Sequence, residues 1–217
     1  MQGQQKYESD MTKKEKRELE RKKLSSMNFR QKAEYIWMYY KPAIAAAIGV
    51  CFLIFYAFDW YENSKIEDIL YVAMVNTPDI DMEAAEADFK EYLGDTDEYH
   101  RVTIDATYSI IEEDPYAYAN EMKITTLATA GDLDILIANT ELCKRYIDEE
   151  YVADWHEVLG DDYAKYEERI SGNMLAVNDS AKLEELGIEW REPSYMIVLA
   201  NIRDDEVVRK YLEYCFQ

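Results

Sequence analysis

The sequence predicts an α/β protein: a single three-layer lobe with a mostly parallel sheet, preceded by one transmembrane helix. Three observations predict it. Pro42 to Phe58 (PAIAAAIGVCFLIFYAF) is an uncharged apolar run of seventeen residues. The formal charge changes sign across it, from +5 over residues 1–41, where eleven Lys/Arg face six Asp/Glu, to −26 from Asp59 onward, where 13 basic residues face 39 acidic ones. Beyond it, short apolar runs alternate with amphipathic stretches. That is the pattern of strand–helix–strand units, whose right-handed crossovers make neighbouring strands parallel. The chain thus divides into a basic cytoplasmic segment (1–41), a transmembrane helix (42–58), a stalk (59–68) and an exported domain (69–217).

Residues 1–11 are polar and lack apolar periodicity, the composition of a disordered leader. Thr12 to Leu24 (TKKEKRELERKKL) is a mixed-charge helix former, with Glu18 and Lys22 in the favourable i,i+4 order. Its basic residues fit two readings. They form a polybasic patch worth about 1 kcal/mol per Lys/Arg near anionic lipid, or they only hold the N-terminus inside. Phe29 to Lys41 leads to the membrane as an amphipathic or continuous helix, and Pro42 suits either the first turn of a new helix or a slight break.

The apolar run rises about 25 Å, slightly short of a hydrocarbon core about 30 Å thick. Trp37, Tyr39 and Tyr40 on one side, and Trp60 and Tyr61 on the other, extend it as an aromatic belt does. Its Ile, Leu, Val and Phe residues favour insertion by about 2.5–5 kcal/mol. The competing reading, a buried core helix, leaves the flanking aromatics and the charge jump unexplained. The positive-inside rule places the N-terminus in the cytoplasm and the C-terminal domain outside the cell. The basic leader is too long for a cleaved signal peptide and no small-x-small site follows the run, so an uncleaved signal anchor is expected. Cys51 does not read as a lipoprotein cysteine, because Val50 precedes it and the apolar run continues for seven residues beyond.

The acidity of the exported part argues against nucleic acid, whose phosphates it would repel, and it keeps a surface protein soluble. Outside the membrane run only Cys143 and Cys215 remain, which is no disulfide framework; they are either one bridge or two buried small residues.

Along the exported domain, Ile69 to Asn76 (ILYVAMVN) reads as a strand covered on both faces. Asp81 caps a helix to about Leu93, with Gly94 beyond it. Arg101 to Ile111 has the β-branched alternation of a strand. Pro115 opens a helix that Gly131 ends. Leu133 to Ala138 (LDILIA) is a third buried strand, and Thr140 caps a helix toward Ile147. A shorter helix spans Tyr163 to Arg169, Met174 to Val177 is a small strand, and Ala181 to Leu186 is a helical turn or two. Tyr195 to Ile202 is a strand, and Asp204 caps the last helix, to Cys215.

No enzyme signature stands out, and neither a cofactor nor a metal site is expected. His100 and His156 lie far apart, neither in HExxH spacing, and His100 reads as a surface imidazole in an acidic loop. Phosphate loops and Gly-x-Ser-x-Gly are missing from the sequence. Paired carboxylates arise by chance among 39 acidic residues. Asp95-Thr96-Asp97 lacks the glycine and terminal glutamate of a calcium loop. Binding is the better lead. In open α/β sheets ligands meet the carboxyl ends of strands, here Thr77, Tyr108, Asn139 and Thr140. Asn139 and Thr140 would offer amide and hydroxyl contacts at a helix N-terminus. Tyr108, Tyr116 and Tyr118 would offer a platform to a sugar or peptide. The competing account has Thr140 merely capping its helix and the tyrosines half-buried.

The run ATAGDLDILIANTELCKRYIDEEYVADWHEVL, Ala128 to Leu159, resembles a recurring block of bacterial extracellular solute-binding proteins. There a helix ends in Ala-Gly-Asp, a strand follows, then a helix, then a phrase like Gly-Tyr-Leu-x-Asp-Leu. The corresponding pieces are Gly131-Asp132, Asp134 to Ala138, Leu142 to Ile147 and Tyr151 to Trp155. Val102 to Ile111 matches the family's second strand, and YMIVLANIRDDEVVRKYLEYC resembles its last strand and packing helix. The resemblance implies the type 2 fold of a periplasmic-type solute-binding lobe. Such proteins have two lobes that close around a ligand, whereas about 35 residues between Leu159 and Tyr195 leave room for no second lobe. The chain also resembles single-pass envelope proteins of Gram-positive anaerobes, through its YIWMYYK approach to the membrane. These resemblances imply a membrane-anchored binding or sensing module for a small solute or an envelope component. The alternative is an envelope interaction protein that docks on another membrane protein and takes no small ligand.

Overall fold

The computed structural model describes residues 11–78 and 82–217, in two units, Met1–Asn63 and Ser64–Gln217. Asp81 with its expected cap, the leader up to residue 10, and the Tyr39 side chain of the aromatic belt lie outside the described residues.

In the first unit, α1 (Lys13–Ser26) starts where Thr12 and Glu15 exchange side-chain-to-backbone hydrogen bonds of 2.8 and 3.4 Å. That reciprocal cap satisfies two donors the first turn leaves open. Asn28 and Gln31 make the same exchange, at 3.2 and 3.1 Å, at the start of α2 (Phe29–Asn63). The Tyr40 hydroxyl donates to Glu20 across the two helices at 2.7 Å. Pro42 lies inside α2, so the helix runs on through it and no new helix opens there. Tyr40–Asn63, 24 residues whose most apolar 18-residue stretch has a mean hydropathy of 2.0, is long and apolar enough to cross a membrane. It rises about 36 Å, more than the seventeen predicted residues alone provide. The expected stalk divides: 59–63 complete α2, and 67–68 already belong to a strand.

The second unit runs β1 (Glu67–Val75), α3 (Glu83–Leu93), β2 (His100–Tyr108), α4 (Ala117–Ala130), β3 (Ile135–Asn139) and α5 (Thr140–Asp148). Then come α6 (Trp155–Leu159), α7 (Tyr163–Tyr166), β4 (Ile170–Ser171), β5 (Met174–Ala176), α8 (Ala181–Glu185), β6 (Ser194–Val198) and α9 (Asp205–Cys215). Gly94 and Gly131 stop α3 and α4 in the left-handed conformation (φ 71° and 76°), each returning its N–H to the last turn. α4 begins at Ala117 rather than at Pro115.

The six strands form one sheet in the order β2-β1-β3-β6-β5-β4. β1 pairs parallel with β2 and β3, but β3–β6, β6–β5 and β5–β4 are antiparallel. The sheet is therefore mixed, not mostly parallel. The reversal begins with the β4–β5 hairpin, whose two-residue turn has Gly172 at φ 61°, as a tight hairpin requires. From there the chain returns through β6 between β5 and β3.

Alternate residues of the central strands serve two core clusters. Leu70, Val72 and Met74 join Ile135 and Ile137, with Phe89 of α3, Trp155 of α6 and Tyr211 and Leu212 of α9. Ala73, Val75, Leu136 and Ala138 join Ile124 of α4 and Leu142, Cys143 and Tyr146 of α5. Val102, Ile104 and Ala106 of β2 belong to the first cluster, yet Tyr108 belongs to the second. The β1–β2 register slips between Ala73 and Val75, and one extra residue turns the next side chain to the other face. Cys143 and Cys215 are free, buried and in different clusters, so the two-buried-residues reading applies. Burial pushes both thiols up to about 12.

Candidate functional site

At the carboxyl ends of the parallel strands, the predicted residues take structural partners. The Thr77 hydroxyl donates to the Ala106 carbonyl at 3.2 Å. Tyr108 is 1% exposed. Its hydroxyl lies 3.0 Å from that of Tyr71, which reaches Asp105 at 3.1 Å, while Lys123 Nζ stands 4.7 Å from its ring centre. Burial pushes the Tyr108 phenol up to about 12. Asn139, not Thr140, caps α5: its Oδ1 accepts from the Leu142 N–H at 3.0 Å, and its amide donates to Glu192 at 3.0 Å. Thr140 is the first residue of the helix. A polar cleft of about 270 Å3 opens here, with Asn139 on its wall beside Asn76, Glu141, Arg145 and Glu192. Its guanidinium is already matched, because Arg145 pairs with Glu121 and, at 3.9 Å, with Glu141. Tyr116 and Tyr118, the other members of the expected platform, are 69% and 76% exposed.

A larger cavity, about 690 Å3, opens at the opposite end of β1 and β2, against the last turn of α3 and the first turns of α9. Ile69, Tyr92, Leu93 and Val207 make its apolar wall, and Glu67, Asp68, Asp95, Asp204 and Glu206 bring carboxylates to it. Local sequence builds each side. Because Gly94 ends α3, the chain turns back through Asp95-Thr96-Asp97. There Asp95 accepts from the Asp97 N–H at 2.9 Å and Asp97 from the Tyr99 N–H at 2.9 Å. Lys90 donates to the carbonyls of Asp97 and His100, each at 2.5 Å. His100 Nδ1 lies 2.8 Å from Asp95. The Asp97 N–H, and then His100, hold the Asp95 carboxyl below the usual range. On the other side, Asp204 caps α9 by accepting from the N–H groups of Glu206 and Val207, at 2.7 and 3.3 Å.

The cations at this cavity are satisfied from outside it. Lys210 reaches Glu213 at 2.9 Å. Arg203 pairs with the buried Asp134 and stands 3.6 Å from Asp132. Asp134 also accepts from the backbone N–H groups of Tyr71 (2.7 Å) and Arg203 (3.1 Å), tying β1, β3 and the approach to α9 together. Burial nonetheless raises its pKa. Asp68 is held by Arg101 at 2.5 and 2.8 Å. Among the described residues, the Glu67 and Glu206 carboxylates accept no hydrogen bond and have no cation within 4.0 Å, although Glu206 acts electrostatically on Lys210 one helical turn away. The cavity therefore presents net negative charge over an apolar wall.

This cavity lies at the end of the sheet opposite the residues expected from the sequence. Its partial signals were present: His100 in an acidic loop, the Asp95–Asp97 pair and the Asp204 cap. Among the described residues no three His, Cys, Asp or Glu side chains are grouped to hold a metal. Comparison with family models, with curated proteins and with solved structures finds no match.

Proposed function

We propose that this chain is a single-pass membrane-anchored binding or sensing module. Its N-terminus is cytoplasmic, and its domain faces the outside in the manner of one three-layer lobe of a solute-binding protein. The 690 Å3 cavity carries the reading. Ligand pockets have volumes of about 300–1,000 Å3 and join apolar wall to placed polar groups; this cavity has such a volume, and Ile69, Tyr92, Leu93 and Val207 are the apolar part of a lining whose other eight residues are polar or charged. It needs no second lobe to form, since two helix ends and two strand ends of the same domain shape it as a half-open cavity. The charge change from +5 to −26 across the apolar run supports the orientation. The module is a binder rather than a catalyst, because the carboxylates around the cavity cap helices, pair with arginine or face solvent.

The test is a thermal-shift screen of the detergent-solubilised full chain against amines, amino acids, sugars and carboxylates. At least one compound should raise the midpoint in the native protein and fail to do so in Val207→Trp, which fills the cavity. A screen in which no compound distinguishes the two proteins overturns the reading.

A second reading, an envelope interaction protein that docks on another membrane protein, has one observation of its own. Ile111, Tyr116, Tyr118 and Met122 are exposed near and along α4. Tyr118 and Met122 are four residues apart and share a helix face. This reading gains if the ligand screen is blank and a cross-linker placed at Tyr118 captures a membrane protein.

A further inference from the structure

Resting on the binding reading above, we propose that the 690 Å3 cavity takes an aliphatic diamine or polyamine, a ligand with an apolar stem and a cationic group toward each end. The charge distribution points there. Glu67, at the start of β1, and Glu206, in the first turn of α9, bring carboxylates from two different walls, and neither has a hydrogen-bonded partner among the described residues. The nearby cations offset them only in part: Arg203 is committed to Asp134 and Asp132, and Lys210, which pairs with Glu213 at 2.9 Å, also feels the charge of Glu206 one helical turn away. A neutral ligand filling the cavity would strip water from both carboxylates and return nothing, which costs free energy. An ammonium group at each end returns a charge-assisted hydrogen bond.

An anion is disfavoured for a separate reason. The helix end that would attract it is closed, because Asp204 already accepts from the Glu206 and Val207 N–H groups, and Asp205 and Glu206 fill the first turn with negative charge. A hydrated metal ion gains little from a wall of Ile69, Leu93 and Val207. That wall instead suits a methylene chain, about 0.8 kcal/mol for each CH2 withdrawn from water. Tyr92, 40% exposed and stacked on Phe89 with ring centres 6.3 Å apart, adds an aromatic ring to the lining, a group that attracts cations.

The experiment is isothermal titration of the full chain in nanodiscs of neutral lipid with cadaverine and spermidine. The uncharged isostere 1,5-pentanediol and the dianion glutarate serve as controls. Four proteins are compared: the native chain, Glu67→Gln/Glu206→Gln, the cavity-filling Val207→Trp, and Glu112→Gln/Glu113→Gln, which removes the same charge from the loop before α4. All four glutamates are solvent-exposed, and melting curves confirm that each variant folds. The amines should bind the native chain, with spermidine tighter. Removing both cavity carboxylates should weaken binding at least about tenfold; the loop variant should match the native chain, and pentanediol and glutarate should not bind. Equal weakening in both glutamine variants, or in neither, overturns the proposal, because the amines would then be counter-ions of an acidic surface. If pentanediol or glutarate binds, is displaced by Val207→Trp, and the amines do not bind, the ligand class is wrong while the binding reading stands. If Val207→Trp displaces no ligand at all, both fall.

Discussion

At the scale of the residue, Leu136 and Asp134 are two positions apart in the third apolar run and behave in opposite ways. Leu136 is fully buried between Ala73 of β1 and Ile197 of β6. Leu136→Ala should cost about 2–5 kcal/mol, through lost transfer energy plus an unfilled cavity, read as a lower urea midpoint with an unchanged slope. Asp134 is a buried charge whose pKa is raised by burial, so its contribution is complete in acid and fades as pH rises through that raised pKa. Asp88 and Asp179 work the other way. Lys182, then Tyr214, hold Asp88 low, and Arg169 holds Asp179 low. Below the unfolded value of about 3.9 the unfolded chain binds protons that the native one does not, so their contribution is present above that value and lost as pH falls through the depressed ones. The Asp88→Asn/Asp179→Asn protein should therefore lose less stability than the native chain between pH 4 and pH 2. Parallel curves in that range, measured by urea unfolding, would remove these pairs from the account of acid sensitivity.

At the scale of the element, what could be read from the sequence was whatever a segment carries within itself. The near-continuous apolar runs of β1 and β3 announced strands buried on both faces. Gly94 and Gly131 announced helix ends because only glycine adopts a left-handed φ freely. Asp204 announced α9 by its own carboxylate. Direction was not legible: the residues of β6 alternate identically whether the strand runs with β3 or against it, so the antiparallel half of the sheet was unforeseen. Its one local signal was Ser171-Gly172-Asn173-Met174, a tight-turn pair between two short apolar pieces. Tyr108 was misplaced for a similar reason. A register slip belongs to two strands together, and it turned an expected platform residue into core. The cavity was invisible because three stretches far apart in sequence, 67–69, 92–100 and 203–210, build it, at the end of the sheet that the rule for parallel strands passes over. Asn139, one of the four expected site residues, lines a cleft, and there its side chain is occupied by Leu142 and Glu192.

At the scale of the whole molecule, two units of different composition share one chain. Met1–Asn63 carries the membrane-length helix, and Ser64–Gln217 carries both core clusters and all six strands. Each core cluster is drawn only from the second unit, so its stability does not depend on the helix. A fragment beginning at Ser64 should therefore unfold in urea in one cooperative transition, and loss of cooperativity would show that the helix is part of the fold. Orientation rests on charge instead. Lys and Arg close to a membrane span resist translocation, while Asp and Glu contribute little to topology, so in the proposed topology the eleven basic residues of 1–41 keep the N-terminus in the cytoplasm. Protease added to intact cells should digest the acidic domain and leave an N-terminal tag protected. After the cells are opened, the tag should become accessible too. A C-terminal tag that survives protease outside intact cells and is lost only on lysis would place the domain in the cytoplasm. Because an exported sensor must meet its ligand outside, that result would also withdraw the extracellular role proposed for the cavity, whatever the cavity proves to bind.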